Sequence, residues 1–459
     1  MSSPGRLGPR LVVAGTHSGV GKTTVATGIM AALRRAGHAV AGAKAGPDFI
    51  DPGYHALACG RPPRNLDPWL CGAGAMVPLA ARAAAGADVL VVEGVMGLFD
   101  GAADGTPSST AEVAKTLEAP VVLVVDAASM SASVAALVHG YATYDPTVRL
   151  AAVVLNRVGS DRHEVQLREA LEPLGVPVLG ALRRDDRLSW RDRHLGLVPV
   201  VEAPEEVGSA LATLAEAVTE GIDLAGAMAI ARSAPTRPAD PVRLPPPPVA
   251  EGTGPVVAVA GGPAFSFTYT DTIEALEAAG ARVVGFDPAV DEHLPEGADG
   301  IMVGGGFPEV HVARLAANHV LLAEVRRQLA GGLVTWAECG GLMWLCRSLD
   351  GRPLVGAVPA EARMTGRMSL GYRRGRLRAE SPLGPAGTSL TGHEFHYSKV
   401  DPPGDGLELS SRWGTHLDGF AGPSLVATYL HHHPGGDPSA VAAFVAACAR
   451  HRAGTAVHR

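Results

Sequence analysis

Cysteine is scarce in this chain: Cys59, Cys71, Cys339, Cys346 and Cys448 are the only ones among 459 residues. Their odd number and the lack of any C-x-x-C pair argue against a disulfide framework and a zinc knuckle. Aromatic residues make up 5% of the chain, whereas glycine and alanine abound, which suits helices packed closely on parallel sheets. No block of Lys and Arg stands out, and the net charge of −7 has both signs interspersed. The basic footprint that nucleic acid requires is therefore missing. No apolar run reaches the roughly 18 residues of a membrane span. The opening "MSSPGRLGPR" also lacks the apolar stretch of a secretory signal. These absences leave a soluble, cytoplasmic protein as the expectation. What is present is a 47% apolar share in a chain too long for one ordinary core, so two or three domains are expected.

Short β-branched runs alternate with helical segments in the first half: "RLVVAG", "DVLVVEG", "PVVLVVDA" and "LAAVVLNRV". Runs of this kind are buried on both faces, as in a parallel sheet covered by helices. Between Ser233 and Pro255 the texture changes to a proline-rich stretch with Pro245 to Pro248 in a row, which reads as an extended linker. The alternation then restarts with "PVVAVAGG", "ARVVGFDP", "DGIMVGGGF" and "GGLVTWAECG". The expected organisation is an α/β domain over residues 1–233, a linker over 234–254 and a second α/β domain over 255–459.

"LVVAGTHSGVGKTT", from Leu11 to Thr24, places a glycine-rich turn between a strand and a helix. Counted back from Gly21-Lys22-Thr23, the first glycine of a phosphate loop belongs at position 16. Here that residue is Thr16, and the glycine has moved to Gly15. Gly19, Gly21 and Lys22 still set how closely backbone and amine approach phosphates, and Thr23 offers a hydroxyl to Mg²⁺. Magnesium also needs carboxylates. Glu93 ends the run "VLVVEG", and Asp48 and Asp51 lie in "KAGPDFIDPGYH", Asp48 being the preferred ligand. The alternative for each is a solvated loop anion. The loop resembles that of the dethiobiotin-synthetase group of P-loop proteins, in which ATP phosphorylates a small-molecule carboxylate.

In the second half, "GGLVTWAECGGLMWL" reads as strand, sharp turn and helix, with Cys339 on the turn. A nucleophile there stands clear of the sheet, and a following helix N-terminus favours its thiolate. Three glycines, Gly304 to Gly306, end an upstream strand. The N–H groups of Gly305, Gly306 and Gly340 are candidates for holding an oxyanion. "ATYLHHHPGG" offers His431 and His433 as bases, and in an extended segment these two share a face. The rival readings are a buried structural thiol and a metal-binding histidine cluster.

This half resembles the class I glutamine amidotransferase domain of the cobyrinic/cobyric acid synthase type. Many class I members carry a glutamate two residues after the catalytic histidine, but His433 follows His431 at that spacing and Gly435 follows His433. His431, in its Y-L-H context, is the chosen base and His433 the reserve. From Gly15 to Val400 the stretches "GTHSGVGKTT", "GPDFIDPGYH", "EGVMGLFDG", "LNRVGSDRHE", "RHLGLVP", "AFSFTYTDTIEALEAAGA", "GGGFPE", "AECGGLM" and "GHEFHYSKV" run in order. In them the whole chain resembles the cobyrinic acid a,c-diamide synthase family.

That resemblance implies amidation of two acetate carboxylates of cobyrinic acid or its cobalt-free counterpart, with ATP, Mg²⁺ and L-glutamine. It implies phosphate binding by Gly19, Gly21, Lys22, Thr23 and Thr24, and Mg²⁺ binding by Thr23, Glu93 and Asp48. It further implies adenine reading by Asn156. Asp100, Tyr54 and His55, along with Asp48, would face the corrinoid or the acyl phosphate. His393 and His396 line an interface or fill the core. Arg183, Arg184, Arg187 and Arg193 are candidates for meeting the polycarboxylate, against a solvated charged face. Partners are thus small molecules, with a homodimer left open. Cobyric acid synthase and a nickel-tetrapyrrole a,c-diamide synthase are the near rivals. A P-loop switch ATPase with an inert amidotransferase domain is the rival from another class.

Overall fold

The β-branched runs of the first half assemble into one sheet in which every strand is parallel to its neighbours. The computed structural model describes residues 5–102, 105, 107–188, 190, 192–193, 196–245 and 254–457. The seven strands lie in the order Arg64–Leu66, Val40–Ala45, Val89–Glu93, Arg10–Gly15, Val121–Asp126, Leu150–Val158 and Val178–Arg183. Val12, Val13, Val91, Val92, Val122 and Leu123 have no solvent exposure, as their unbroken apolar runs require. From Arg10–Gly15 the chain first fills one side of the sheet and then crosses to the other through Val121–Asp126. The reversal opens a crevice at the carboxyl end of Arg10–Gly15, where ligands of open α/β sheets bind.

The helix Lys22–Arg35 leaves that crevice and buries Val25, Ile29, Met30 and Leu33 along one stripe. Each large member of the stripe contributes about 2 kcal/mol by leaving water. The opposing helix, Pro204–Gly221, presents Leu211, Leu214 and Val218 at the same three-to-four spacing.

The chain divides into two compact units, Met1–Val242 and Arg243–Arg459. The first unit thus extends past the boundary expected at 233. The cause is local: Arg237–Ala239 pairs antiparallel with Gly5–Leu7, and Arg237 Nη1 donates to the Thr116 carbonyl at 2.6 Å. The start of the proline-rich stretch is therefore a strand of the first unit. Its later part, residues 246–253, lies outside the described residues.

The second unit has a six-stranded sheet in the order Arg282–Phe286, Val256–Ala260, Ala298–Val303, Val334–Glu338, Leu425–Thr428 and Phe420–Gly422. The first five are parallel and the last antiparallel. Trp336, Trp344, Phe265, Phe307 and Phe444 are fully buried around it. Between the helix Gly340–Leu345 and the strand Leu425–Thr428 the chain builds a second sheet that the sequence reading did not foresee. It is centred on the long antiparallel pair Glu361–Leu377 and Ser389–Asp401. The short strand His431–His432 closes one edge of it through Gly392 and His393.

Candidate active sites

In the first unit the phosphate loop runs from the strand Arg10–Gly15 into the helix that begins at Lys22. Gly15 explains the displaced glycine. A Cβ there would lie 2.7 Å from Lys22 Cγ, so the lysine stem folds back over the space that glycine leaves. Gly21 has φ 92°, a conformation that side chains rarely adopt. The first turn of the helix holds no acidic side chain, so its N–H groups face an anion unopposed. Lys22 is buried and donates to the His17 carbonyl at 3.1 Å. Burial, and after it the neighbouring Lys44 charge, lower its ammonium to about 8. Thr24 is the helix's third residue, half-buried.

Thr23 Oγ1 donates to Glu93 Oε1 at 2.6 Å and lies 3.4 Å from Asp51 Oδ2. Lys44, which sequence reasoning did not single out, joins them. Its Nζ donates to Asp51 Oδ2 at 2.5 Å, to Glu93 Oε1 at 2.8 Å and to the Gly94 carbonyl at 3.1 Å. Burial works against the Lys44 charge, but Asp51 and Glu93 outweigh it and hold the ammonium above its ordinary range. Burial likewise works against the Glu93 carboxylate, yet Lys44 and His55 hold it well below the usual range.

Asp48, Tyr54, His55 and Asn156 are each engaged within the protein. Asp48 Oδ1 accepts from the Ile50 and Asp51 amides at 2.7 and 3.1 Å, and its other oxygen lies 3.9 Å from Lys44 Nζ. Asp51 therefore stands closest to Thr23 and Glu93, in the place expected for Asp48. Tyr54 and His55, expected to face the substrate, both lie on the buried side of the helix Asp51–Cys59. Tyr54 donates to the Val198 carbonyl at 2.7 Å and meets Trp190 edge-on, while His55 Nε2 sits 2.6 Å from Glu93 Oε2. Asn156 is also committed: its amide nitrogen donates to the Val20 carbonyl at 2.8 Å, bracing the loop from the end of the strand Leu150–Val158. Asp100 is exposed and accepts from the Gly97 amide at 2.8 Å. Arg183 is spent on Asp161 and Glu164, and Arg187 on Asp185. Arg184 is exposed, and the Arg193 side chain lies outside the described residues.

In the second unit Cys339 joins the strand Val334–Glu338 to the helix Gly340–Leu345 with φ 49° and ψ −100°, a strained turn for a residue with a Cβ. The turn is fixed by Cys339 N–H donating to the Thr428 carbonyl at 2.7 Å and Gly341 N–H donating to the Gly304 carbonyl at 3.0 Å. A Cβ on Gly340 would lie 3.2 Å from the Gly306 nitrogen, and one on Gly305 would lie 2.5 Å from His431 Cε1. The loop Gly304–Gly306 thus has the cysteine turn on one side and the His431 ring on the other. Gly306 has φ 154°, and a Cβ there would strike the Ala264 carbonyl at 2.2 Å. Among the described residues its amide has no backbone acceptor. The Gly305 amide does have one, the Phe267 carbonyl at 3.2 Å, so it is not available to an oxyanion as expected.

Burial first, and then the Glu309 charge, push the Cys339 thiol above its ordinary range, although the Gly340 amide acts the other way. One short helix of six residues does not offset the loss of water.

His431 is buried, with His393 stacked on it at 5.0 Å. His433 lies deeper, accepting from the Gly435 amide at 3.0 Å, packed on Tyr269, its Nε2 3.8 Å from Asp271. His396 stacks on Tyr429 at 3.7 Å. Beneath the turn, Asp418 Oδ2 accepts from the Thr428 hydroxyl and from the Tyr429 amide, the latter at 3.0 Å.

All five cysteines are free and buried. Among the described residues no trio of His, Cys, Asp and Glu is arranged to hold a metal ion, and no helix is long and apolar enough to cross a membrane.

Residues 11–197 match the CobQ/CobB/MinD/ParA nucleotide binding domain, and residues 256–438 match the CobB/CobQ-like glutamine amidotransferase domain. The hydrogenobyrinate a,c-diamide synthase of Streptomyces coelicolor is 47% identical, covering 97% of this chain and 99% of its own. That of Thermobifida fusca is 48% identical, covering 98% of each. The cobyrinate a,c-diamide synthase of Syntrophotalea carbinolica is 42% identical, covering 96% of this chain and 98% of its own.

Proposed function

This chain belongs to the hydrogenobyrinate and cobyrinate a,c-diamide synthases, and on that footing we propose how its residues carry out the reaction those names describe. It is a ligase of cobalamin biosynthesis that uses ATP and glutamine to turn the a and c acetate carboxylates of a corrinoid ring into amides. The relatives of higher identity are hydrogenobyrinate enzymes, which favours a metal-free ring as acceptor. ATP and glutamine meet in the cytoplasm, the compartment this reading assigns.

A carboxylate resists nucleophiles because resonance and charge both oppose attack. Phosphoryl transfer from ATP gives an acyl phosphate with a good leaving group. Lys22, the N–H groups at the start of its helix, Thr23 and Thr24 hold the phosphates. The oxygens of Thr23, Glu93 and Asp51 form a hard donor set that fits Mg²⁺, an ion bound through few protein ligands. When bound with ATP, that ion neutralises phosphate charge. Lys44 and His55 hold Glu93 ionised and in place.

In the second unit His431 takes the Cys339 proton, and the thiolate attacks the side-chain amide carbon of glutamine. The Gly306 and Gly340 amides receive the oxyanion. The carbon–nitrogen bond breaks, the proton on His431 goes to the leaving nitrogen, and ammonia departs. Water then cleaves the thioester to glutamate. Ammonia attacks the acyl phosphate and expels phosphate, giving the amide.

The left-handed turn at Cys339, with Gly306 and the His431 ring beside it, carries this reading. Mass spectrometry of products made from ATP, Mg²⁺ and glutamine tests it, with cobalt-containing and metal-free rings in parallel. A gain of two amides is expected with the metal-free ring. A Cys339→Ser variant should lose synthesis from glutamine and keep it from ammonium salts. Full glutamine-dependent synthesis by that variant would refute the assignment.

A further inference from the structure

A buried thiol needs an imidazole whose lone pair points at sulfur and whose charged form is supported. Class I members commonly use a glutamate beyond the histidine, and this chain has His433 there. We propose that Glu338, immediately before the nucleophile, orients His431 and completes a triad from the nucleophile's own strand.

Glu338 is 3% exposed. Its Oε1 accepts from Trp336 Nε1 at 3.0 Å and from the His432 amide at 3.1 Å. Trp336 and Glu338 share a face because strand side chains alternate. Two fixed donors on Oε1 turn Oε2 toward His431, whose Nδ1 lies 3.7 Å away. That is an ion-pair distance, and catalytic contacts of free enzymes commonly shorten once substrate binds. A proton held on Nδ1 by Glu338 leaves Nε2 to accept from Cys339. Nε2 lies on the edge facing the glycine loop, 3.2 Å from where a Gly305 Cβ would stand. Other ionisable groups nearby among the described residues include His393 on the His431 ring, His433 with Asp271, and Glu309 and Glu394 toward the thiol. Glu338 stands at ion-pair distance from His431.

The inference rests on Cys339 and His431 being the glutaminase pair, so the full-length Cys339→Ser protein is the control. Should that variant still release glutamate, the pair itself is misassigned, and Glu338 with it. Glu338→Gln keeps an oxygen for Trp336 and His432 but turns an NH₂ toward Nδ1, which selects the wrong tautomer. Glutamate release should fall about 100-fold in kcat with little change in KM. The imidazole limb of its pH profile should move to lower pH, and ammonia-dependent synthesis should persist. Glu338→Asp should recover part of the rate. A Glu338→Gln protein with wild-type kcat and profile overturns the inference. So does one that loses ammonia-dependent synthesis in equal measure, since that outcome marks a purely structural role.

Discussion

Lys44 donates to Glu93 Oε1 at 2.8 Å in a site where both side chains are almost closed to solvent. A second carboxylate, Asp51, shares the same ammonium. Lys44→Met would take the shared ammonium from two carboxylates and leave Glu93 with His55 and Thr23 alone, at a cost of about 3 kcal/mol. A lower melting temperature without nucleotide is expected, and Mg²⁺ should raise it more in the variant than in the parent. Equal melting of the two proteins would show that the lysine is dispensable.

Asn156 holds the phosphate loop through the Val20 carbonyl. Removing one hydrogen bond to a buried carbonyl costs about 1–2 kcal/mol, so Asn156→Ala should bind ATP roughly ten-fold more weakly. Because the loop and not the base is affected, affinity for GTP should fall by the same factor. Titration calorimetry with both nucleotides checks this, and a selective loss of ATP would restore the adenine-reading role.

Gly305 has no room for a side chain beside His431 Cε1. Gly305→Ala should displace the ring and lower glutamate release on the order of 100-fold, the scale of a 1 Å misplacement. Ammonia-dependent synthesis should be untouched. Steady-state assays with the two nitrogen sources compare the rates directly.

Burial raises the Asp418 carboxyl from its ordinary 3.8 to about 6, despite the Thr428 and Tyr429 donors. The folded chain then binds this proton more tightly than the unfolded chain does. Stability from this group is complete below about pH 4 and is lost as pH rises through about 6, by roughly 3 kcal/mol. Asp418→Asn keeps an acceptor oxygen and has no charge to bury. Urea midpoints should therefore be higher than in the parent at pH 8, and the two should converge toward pH 4.

The strand ends carried most of what could be foreseen. Lys22, Glu93 and Cys339 each follow or close an apolar run, and a parallel sheet brings such ends to one edge. Side-chain direction was not legible in the same way. Tyr54 and His55 adjoin Asp51 in sequence, but the face that the helix Asp51–Cys59 packs inward includes them with Ala58 and Cys59. A lysine within a strand reads as exposed, and the partners of Lys44 come from separate segments. The second sheet was hidden in "RMTGRMSLGYRRGRL", whose arginines and glycines interrupt the alternation that marks a half-buried strand. The approach of Glu338 to His431 exists only once the two sheets meet, so sequence order does not disclose it.

The small ribbon between Gly5–Leu7 and Arg237–Ala239 ties the outset of the first unit to its final stretch. A protease nick or a genetic break placed after Val242 would spare that knot. The nucleotide half should then survive as a free-standing piece with both of its ends fastened.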